Sequence, residues 1–515
     1  MKKRIKYWMI MITGILLWTS CFEDKGNYDY VDLGDMTIHG VMTDRWYEAF
    51  AFSDTLKIPV EVNSTRYLQG EQPYTYTWKL IGLNWETMDG DIPLDYTLSR
   101  EKDLEIVLRL KAGEYSGFLL VTDTLLGLQE KVDFYVRLKT QTSEGWMILC
   151  EEDGESRLDW IVPTSDTTER ISRDIWAASD FRLGKPYSIA SAYSLQASNR
   201  YVFAERGTYN IDREDAHVGE DNDVKWNFGD VPDAVHGLAT EIAYQRNNRM
   251  DMLVTQDKNL YVRNPFSIGA IYGFPVNKTS DGERFDVAPW FGHSYGFSEA
   301  SVIIYDETNR RFMEFKDDNK TIPQLLSFAG GRVDFPVETG RDMVYMNWTK
   351  DGYTFAVLED PADHELYVYG IKVESKGSNY RHYYMRLNRP DNDKIMQYAF
   401  HSVYRYLFYS TDKGEVYQFD MTQPDTPAEK ILSFPGENIT ALKINKLVGW
   451  IAYQPWERQR ENQLVVGSYR IDGNEKDCGI MRIYDVPSLM GPLVLRHEYK
   501  ELGKIVDIVY RERGK

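Results

Sequence analysis

Seven weakly similar hairpins follow one another through residues 145–515. Each copy has a short apolar strand, a polar turn and a second apolar strand, and the copies begin at Trp146, Tyr201, Met252, Ser301, Tyr353, Tyr406 and Gln463. Successive copies start 55, 51, 49, 52, 53 and 57 residues apart. A period near 50 is the length of a four-stranded propeller blade, and a lone hairpin cannot bury its face, so neighbouring copies must stack. The spacing predicts a seven-bladed β-propeller over residues 142–515.

The end of the chain indicates how the ring closes. An apolar segment at Thr240–Gln245 precedes the third hairpin, and a similar segment, residues 504–511, ends the chain with no hairpin after it. The hairpin at Trp146 lacks such a segment, so we expect the C-terminal strand to pair there and remove an exposed sheet edge. A long array of two-sheet sandwiches is the alternative.

Residues 30–141 form a separate, shorter all-β unit in the sequence. Segments 56–62 and 74–79 alternate apolar and polar residues with a period of two, and further short strands follow, which is typical of a β-sandwich. Tyr-x-Trp ending at Trp78 and Gly-x-Tyr ending at Tyr115 resemble parts of PKD domains. The Ig/PKD-like fold implies that both side chains pack in the core.

The first thirty residues are typical of an export signal. Residues 1–20 have a basic start, a short apolar run and small residues before Cys21, which is the arrangement cleaved in a lipoprotein signal peptide. Residues 21–29 are polar and acidic and are interpreted as a tether. Acylation of Cys21 would anchor the mature chain to a membrane. An ordinary secretory peptide followed by a chance cysteine is the alternative.

Composition excludes some classes of protein. The formal net charge is −19, and removal of a leader with four basic residues takes it to about −23, which repels phosphate backbones and argues against nucleic-acid binding. Tyr and Trp number 36 and 13, and such residues favour pleated surfaces. Beyond Cys21 only Cys150 and Cys478 remain, so no disulfide framework is expected, and Cys150 lies in an apolar run that predicts a buried, inert thiol.

Searches for catalytic and metal-binding motifs give weak signals. Gly292–Gly296 fits Gly-x-Ser-x-Gly, but a strand follows where a nucleophile elbow needs a helix, so a catalytic Ser294 is not predicted. No cofactor is expected. Calcium is the one metal considered, at the acidic loop residues Asp212, Glu214, Asp215, Glu220, Asp221 and Asp223 around Gly219. The loop lacks EF-hand spacing, and a solvated acidic loop is the favoured interpretation.

Binding residues are sought among the aromatic side chains of the turn-rich stretches. Trp226, Trp290, Tyr295 and Trp456 lie between the predicted hairpins, where propellers carry their binding loops. Such side chains can stack on sugar rings or grip peptide side chains. Each can instead fill a gap between blades, so we expect one or two of the four to line a site.

A family resemblance covers nearly the whole chain. Cys21 with the acidic residues after it, Gly145–Leu149 with its Glu-Asp-Gly turn, and the closing block 481–513 resemble the PKD-like family of Gram-negative outer-membrane surface lipoproteins. The resemblance implies a PKD-like domain, a propeller-like domain and association with starch-utilisation-type uptake systems. A TonB-dependent transporter and its lipoprotein partner are the implied partners, and the implied location is the outer membrane, facing the cell exterior.

The sequence therefore predicts a surface lipoprotein that acts as a non-catalytic binding or accessory subunit for glycan or peptide uptake. Two alternatives stay open. One is a hydrolase or lyase with carboxylates or histidine on the propeller axis, because any pair of the 79 acidic residues can meet in space. The other is a purely structural partner of the transporter.

Overall fold

The computed structural model describes residues 34–67, 72–83, 87–194, 197–245, 248–264, 270–293, 301–315, 322–374, 378–449 and 453–512. Cys21 and the predicted leader lie outside these residues. Across the described residues, no helix has both the length and the apolar character needed to cross a membrane. Strands make up most of the secondary structure of the described residues, so the predicted all-β fold class is confirmed.

The N-terminal unit is a β-sandwich. Its strands are β1 (Met36–His39), β2 (Trp46–Phe50), β3 (Thr55–Ile58), β4 (Glu61–Ser64), β5 (Tyr74–Gly82), β6 (Met88–Asp89), β7 (Ile92–Pro93), β8 (Asp95–Ser99), β9 (Leu104–Val107), β10 (Gly113–Asp123) and β11 (Gln129–Lys139). One sheet has the order β2-β11-β10-β5-β8, and the pairs β1-β4 and β3-β9 lie against it. The hairpin β6-β7 pairs with none of these strands.

The core of the sandwich follows from the alternation along its long strands. Along β10 every second residue is buried, and Leu119 lies opposite Trp78 of β5. Trp78 and Tyr115 are fully buried, as the sequence predicts. Their polar atoms are satisfied locally, because Trp78 Nε1 donates to the Glu101 carbonyl (3.0 Å) and Tyr115 Oη to the Lys111 carbonyl (2.7 Å).

The rest of the described chain forms seven sheets. Blade 1 contains β12 (Gly145–Glu152), β13 (Glu155–Pro163), β14 (Glu169–Ser172) and the C-terminal β37 (Lys504–Arg511). Blade 2 contains β15 (Pro186–Ser194), β16 (Ala197–Ala204) and β17 (Gly207–Asn210), and blade 3 contains β18 (Gly237–Gln245), β19 (Asn248–Thr255) and β20 (Leu260–Arg263). Blade 4 contains β21 (Val302–Asp306), β22 (Arg311–Phe315) and β23 (Gln324–Leu325).

The last three blades are the most regular. Blade 5 contains β25 (Asp342–Trp348), β26 (Tyr353–Glu359), β27 (Leu366–Val373) and β28 (Asn379–Arg386), and β24 (Gly330–Gly331) adds to its outer edge. Blade 6 contains β29 (Ile395–Phe400), β30 (Tyr406–Thr411), β31 (Glu415–Asp420) and β32 (Glu429–Ser433). Blade 7 contains β33 (Glu437–Ile444), β34 (Leu464–Arg470), β35 (Gly479–Asp485) and β36 (Val494–Leu502). Within the described residues, three short helices, Glu220–Asn222, Val224–Asn227 and α1 (Pro455–Arg458), lie in connections.

Seven apolar cores join each blade to the next. Met147 and Leu149 of blade 1 face blade 2, whereas Ile148 and Cys150 of the same strand face blade 7. Both faces of β12 are therefore buried, which accounts for its unbroken apolar sequence. Equivalent cores join blades 2 to 3, 3 to 4, 4 to 5, 5 to 6 and 6 to 7. The ring is continuous, and the predicted seven-bladed propeller is confirmed.

The C-terminal strand lies where the sequence places it. β37 pairs antiparallel with β12, with Tyr510 opposite Trp146, and it forms the inner strand of blade 1. Asp159 secures this junction, because its buried carboxylate accepts hydrogen bonds from the Gly503 N–H (2.9 Å) and from Arg157 Nε (2.8 Å). Cys150 is fully buried beside it, and burial raises the pKa of its thiol, as expected for an inert cysteine.

Blades 2 to 4 depart from the regular four-stranded form. Within the described residues, the sheets of blades 2 and 3 have three strands each, and the inner edge of blade 4 is paired only through isolated bridges, Val287 with Asp306 and Gly292 with Ile303. After β17 the chain instead runs through an acidic connection with two short helical turns. Gly229, Asp230 and Pro232 in that connection disfavour a further strand.

The sandwich joins the propeller beside blades 1 and 2. Phe50 packs in the core that these two blades share, and Arg170 of β14 forms an ion pair with Asp54 and lies 4.3 Å from the Phe50 ring centroid. Thr142 Oγ1 donates to the Glu214 carbonyl (2.7 Å). Gly145, the first residue of β12, lies opposite Arg511 at the end of β37. The segment that links the sandwich to β12 therefore enters the propeller at the face where each inner strand turns into the second strand of its blade.

Candidate functional site

One face of the ring carries two cavities. We call it the inner-turn face, because each inner strand turns there into the second strand of its blade, through residues 349–352 in blade 5, 401–405 in blade 6 and 445–463 in blade 7. The third and fourth strands of an antiparallel blade are joined at the same face, which adds residues 164–168 of blade 1. The connection 445–463 is much longer than the other two, and it lies between the two cavities.

The first cavity lies on the propeller axis and has a volume of about 350 Å³. Residues near the ends of inner strands from blades 1, 2, 3, 5, 6 and 7 line it. Its aromatic side chains pack on one another: Tyr345 stacks on Tyr398 with ring centroids 5.7 Å apart, and His293 lies 4.4 Å from the Trp348 ring. The faces of these aromatic rings are therefore largely covered by other side chains of the protein.

Glu241 of β18 is the central carboxylate of the axial cavity. Its Oε2 accepts a hydrogen bond from Trp348 Nε1 (2.8 Å) and lies 3.6 Å from His293 Nε2, and its Oε1 accepts from the Ile242 N–H (3.0 Å). Burial acts to raise the pKa of Glu241, but His293, Trp348 and the Ile242 N–H outweigh it and hold that pKa below its ordinary value. Glu241 is thus held as a carboxylate.

Lys446 supplies the positive charge of the axial cavity. Its ammonium donates to Asn347 Oδ1 (2.8 Å) and to the Trp348 carbonyl, and it lies 4.1 Å from the Trp348 ring centroid. Burial lowers the pKa of Lys446 to about 8, although the charge of Glu241 opposes this. The axial cavity therefore presents a carboxylate and an ammonium group to the same small space.

Glu512 fastens the long connection of blade 7 over the axis. Its carboxylate accepts the N–H groups of Val448 (2.7 Å) and Gly449 (2.6 Å) and the hydroxyl of Tyr453. Burial raises the pKa of Glu512 against these hydrogen bonds. On the other side of the ring, Lys350 of blade 5 donates to the Leu447 carbonyl (2.6 Å). The connection is therefore tied to both blade 1 and blade 5.

The second cavity, which we call the lateral cavity, lies on the far side of this connection and has a volume of about 650 Å³. Blades 1, 6 and 7 contribute to it, and its lining residues used below are His401, Trp456, Arg460, Gln463, Asp166 and Asp485. The volume is in the usual range for small-molecule sites. The lining is mostly polar, and its large aromatic groups are the indole of Trp456 and the ring of Tyr404, on which His401 stacks with ring centroids 4.6 Å apart.

His401 lies at the lateral cavity with a neutral ring. Its Nδ1 accepts hydrogen bonds from the N–H groups of Val403 and Tyr404, both at 3.1 Å, so the proton of the neutral ring must lie on Nε2. Burial lowers the pKa of His401 to about 4, partly offset by the Asn462 backbone, so the ring is neutral at pH 7. Nε2 is shielded from solvent.

Arg460 supplies the cation of the lateral cavity, and its side chain is only 4% exposed. Its Nη2 donates to the Ser165 carbonyl (3.0 Å), and its guanidinium lies 5.1 Å from the Trp456 ring centroid. Its Nη1 is buried and has no hydrogen-bond partner among the described residues. Glu169 lies within electrostatic reach of this guanidinium, which opposes the rise that burial causes in the pKa of Glu169, and Glu169 Oε2 is also buried without a hydrogen-bond partner among the described residues.

Gln463 adds an acceptor. Its Nε2 donates to Asp485 Oδ1 (2.7 Å), which fixes the orientation of the amide. Its Oε1 is buried and accepts no hydrogen bond from the described residues. The unpartnered atoms of His401, Arg460 and Gln463 are all shielded from solvent, so they lie beneath the surface of the cavity and are not exposed to its interior.

The four predicted aromatic residues do not come together. Trp456 of α1 lines the lateral cavity. Trp290 packs in the core between blades 4 and 5, 6.3 Å from the Tyr345 ring, and so lies behind the axial cavity. Trp226 is 53% exposed on the connection after blade 2, where its Nε1 donates to the Glu220 carbonyl (2.9 Å). Tyr295 lies outside the described residues.

Carboxylate oxygens of the acidic loop 212–223 accept hydrogen bonds from backbone N–H groups nearby in the sequence. Asp212 Oδ1 accepts the N–H groups of Glu214 (2.6 Å) and Asp215 (3.2 Å), and Asp223 Oδ1 accepts that of Lys225 (2.9 Å). In the part of the chain that the structure describes, no group of three or more His, Cys, Asp or Glu side chains is placed to hold a metal ion. The solvated acidic loop stays the favoured prediction, with calcium binding as its untested alternative.

Sequence reasoning missed the polar residues of both cavities. His293 lies beside Ser294 in the Gly-x-Ser-x-Gly match, and Gly292 pairs with Ile303 through an isolated antiparallel bridge. Residues 294–300, Ser294 among them, lie outside the described residues. For the lateral cavity one signal was present. The longest interval between hairpins, 57 residues, precedes Gln463, and its extra residues form the connection that carries Trp456 and Arg460.

Comparison with known proteins supports the N-terminal assignment. The sequence pattern of the PKD-like family matches residues 21–180, which covers the sandwich and the first strands of blade 1. No curated protein matches the sequence. The match concerns about a third of the chain, so it identifies a PKD-like domain and leaves the propeller to be defined by its own strand pairing.

Several solved structures are similar over much of the chain. A quinonprotein alcohol dehydrogenase-like protein from Bacteroides thetaiotaomicron VPI-5482 is 11% identical, with a TM-score of 0.42 over 90% of this chain and 96% of that one. The β-propeller domain of Cps50 (Swd1) from Myceliophteria thermophila is 12% identical, with a TM-score of 0.29 over 51% and 72%. YCF48 from Cyanidioschyzon merolae is 10% identical, with a TM-score of 0.36 over 64% and 95%. Similarities this low do not bear on function.

The fold and the match together define a class. The chain joins a PKD-like sandwich to a seven-bladed β-propeller, an architecture that fits an accessory or binding protein.

Proposed function

We propose that the protein is a non-catalytic, surface-exposed lipoprotein that binds an extracellular glycan at the lateral cavity, as an accessory subunit of an outer-membrane nutrient uptake system. The observation that carries the proposal is the lateral cavity itself, whose lining combines the aromatic rings of Trp456 and Tyr404 with polar and charged side chains. Hydroxyl groups of a sugar both donate and accept, so they can satisfy such a mixed set, while the indole packs against the ring.

A glycan suits this cavity better than a peptide. Peptide side chains are usually gripped in apolar pockets, and extended peptides add to open strand edges. The lining of the lateral cavity consists instead mainly of polar side chains. Two of its residues, Asp166 and Thr167 of blade 1, are exposed at the rim. Binding of a peptide in place of a glycan would therefore contradict the proposed ligand class.

The test uses residues 22–515, the mature chain without its acylated cysteine, on arrays of glycans and peptides. Trp456→Ala is expected to weaken glycan binding about five- to thirtyfold, since stacking on one aromatic side chain contributes about 1–2 kcal/mol. Trp226→Ala is the matched control, because that indole lies on the connection between blades 2 and 3. Equal losses in both variants, or binding of peptides alone, would contradict the proposal.

Anchoring and partners follow from the N-terminal sequence. Acylation at Cys21 would hold the chain at the membrane, and the sandwich would act as a spacer between the lipid and the propeller. Cys21→Ser is expected to release the protein from the membrane fraction. Co-purification of the acylated form with a TonB-dependent transporter would support the uptake role, and its absence from such complexes would count against that role.

The axial cavity supports a second candidate, a hydrolase or lyase. Glu241, His293 and Lys446 meet on the axis, where the sequence alternative places catalytic groups. A general acid needs a raised pKa, however, and the pKa of Glu241 is lowered by its hydrogen bonds. Chromatographic detection of cleaved glycans or peptides, abolished by Glu241→Gln, would establish this candidate, and the absence of any product would favour binding.

A further inference from the structure

We infer that an exposed apolar surface on the rim of the propeller docks a partner protein, and that the partner's contact surface has an apolar centre flanked by lysine and arginine. We call this surface the rim patch, and it consists of four residues between blades 2 and 3: Trp226, Val231, Ile271 and Phe274. None of the four lines the axial or the lateral cavity. The inference rests on the accessory role in the proposed function and specifies the surface and the partner chemistry of that role.

The rim patch lies where blade 2 has a connection in place of a fourth strand. Blades 5 to 7 have a fourth strand at their outer edge, whereas in blade 2 the connection follows the third strand, with Asp223 bridged to Tyr209. Farther along, the connection meets the segment that follows blade 3, because Phe228 and Tyr272 form a parallel bridge. The rings of these two residues are buried 5.1 Å apart, so the backbone beneath the patch is held in place.

The bridge gathers the apolar side chains of the patch in one place. Each patch residue lies within three positions of Phe228 or Tyr272, so its Cα atom is within about 11 Å of that residue. Ile271 reaches the other segment, since a Cβ atom added to Gly229 would lie 2.8 Å from Ile271 Cδ1.

The exposed area of the patch is large for a monomer. Phe274 is 87% exposed and Trp226 is 53% exposed, and the two aliphatic residues are about half exposed. The two aromatic side chains alone therefore present about 200–350 Å² of surface. Apolar patches of several hundred Å² on a soluble protein are typical of interaction sites, and aromatic residues are the usual anchors of such interfaces.

The charges around the rim patch are mainly negative. Within five positions of the bridge the sequence has three aspartates and one lysine, Lys225, which pairs with Asp223 (3.4 Å). The other two, Asp230 and Asp233, are exposed and form no ion pair among the described residues. An apolar centre with an acidic edge is complementary to an apolar surface flanked by lysine and arginine.

This pattern disfavours the other occupants of an apolar surface. A second copy of the chain would bring two sets of unpaired carboxylates together, and like charges opposed across an interface are unfavourable. Anionic lipids would be repelled for the same reason. A glycan would find no hydrogen-bonding groups on Val231, Ile271 or Phe274 to match its hydroxyls.

The test places the photo-cross-linking residue p-benzoylphenylalanine at position 274 of the full acylated chain, in the cells that produce it. The substitution keeps an aromatic side chain at an exposed position. Replacement of Leu489 is the matched control, because that residue is 80% exposed in blade 7. Mass spectrometry identifies the adduct and the cross-linked segment. We expect position 274, and not position 489, to give a protein adduct on a segment with apolar residues flanked by lysine or arginine.

Charge reversal tests the acidic edge. Asp230→Lys/Asp233→Lys is expected to lower the yield of the adduct from position 274 at least about tenfold, and reversal of the partner's basic residues at the cross-linked segment should restore it. Asp89→Lys/Asp91→Lys is the matched control, because it makes the same charge change at exposed positions of the sandwich and should leave the yield unchanged.

The inference would be overturned by an adduct with a second copy, a lipid or a glycan, or by an adduct on a segment without lysine or arginine. Unchanged yield after charge reversal at the patch, equal yields from positions 274 and 489, or no adduct at all would also overturn it. Glycan arrays with the same variants separate this result from the proposed function. Absence of the adduct with glycan binding retained would overturn the inference alone, whereas absence of both would overturn both.

Discussion

His401 should make the stability of the propeller sensitive to acid. Its ring is 1% exposed, and burial lowers its pKa to about 4 in the folded protein, against 6.5 for an unperturbed histidine. The folded state therefore binds the proton less tightly than the unfolded state. The stability due to the neutral ring is fully present above the unfolded pKa and is lost as the pH falls from 6.5 towards 4. A pKa difference of about 2.5 corresponds to about 3 kcal/mol.

His401→Asn isolates this effect. An asparagine Oδ1 occupies the position of Nδ1, so it can keep the hydrogen bonds from the Val403 and Tyr404 N–H groups while removing the titration. Urea denaturation is followed by tryptophan fluorescence from pH 7.5 to pH 4. We expect the wild type to lose about 3 kcal/mol more than the variant across that range.

The shared loss from carboxylate protonation cancels in the comparison of the two proteins. His364→Asn serves as the control, because His364 is exposed and Glu359 raises its pKa, so any effect there must appear with the opposite sign, as stability lost on raising the pH. Parallel stability curves for the wild type and His401→Asn would refute the reasoning. They would mean that the ring is protonated without cost, and the assignment of Nε2 as a neutral donor would fail with it.

Two further predictions concern closure of the ring. Asp159→Asn is expected to lower the free energy of unfolding by about 3 kcal/mol, because it leaves the Arg157 guanidinium and the Gly503 N–H poorly satisfied. The double variant Arg157→Met/Asp159→Leu should cost less than the sum of the two single changes, and a double-mutant cycle measured by urea denaturation would show this. Deletion of residues 504–515 should expose the apolar edge of β12 and convert the monomer into aggregates on size-exclusion chromatography, whereas deletion of residues 514–515 should not; a soluble monomer after the longer deletion would show that closure is dispensable.

The propeller could be predicted from sequence because its signal is repeated seven times. Each hairpin has the apolar pattern of a strand buried on both faces, and a missing strand at Trp146 with a spare one at 504–511 leaves a single way to close the ring. The outer strands of blades 2 and 3 were not predictable in the same way. Their absence from the described sheets depends on a connection whose acidic and glycine-rich composition differs from one blade to the next.

The candidate site was predictable only in part. Trp456 could be found because a large aromatic residue in a turn-rich stretch is unusual enough to be noticed. His401 could not, because its role depends on two backbone N–H groups that fix its tautomer, and nothing in the sequence around it reports that geometry. Arg460 could not either, since its place at the cavity depends on a hydrogen bond to the Ser165 carbonyl of another blade.

Closure of the ring also explains why the lateral cavity has no sequence motif. Arg460 reaches the carbonyl of Ser165 across a separation of 295 residues, and this contact exists only because β37 brings blade 7 against blade 1. The strand that completes the fold therefore also positions the cation of the binding site, so any change that loosens β37 should weaken ligand binding before it unfolds the remaining blades.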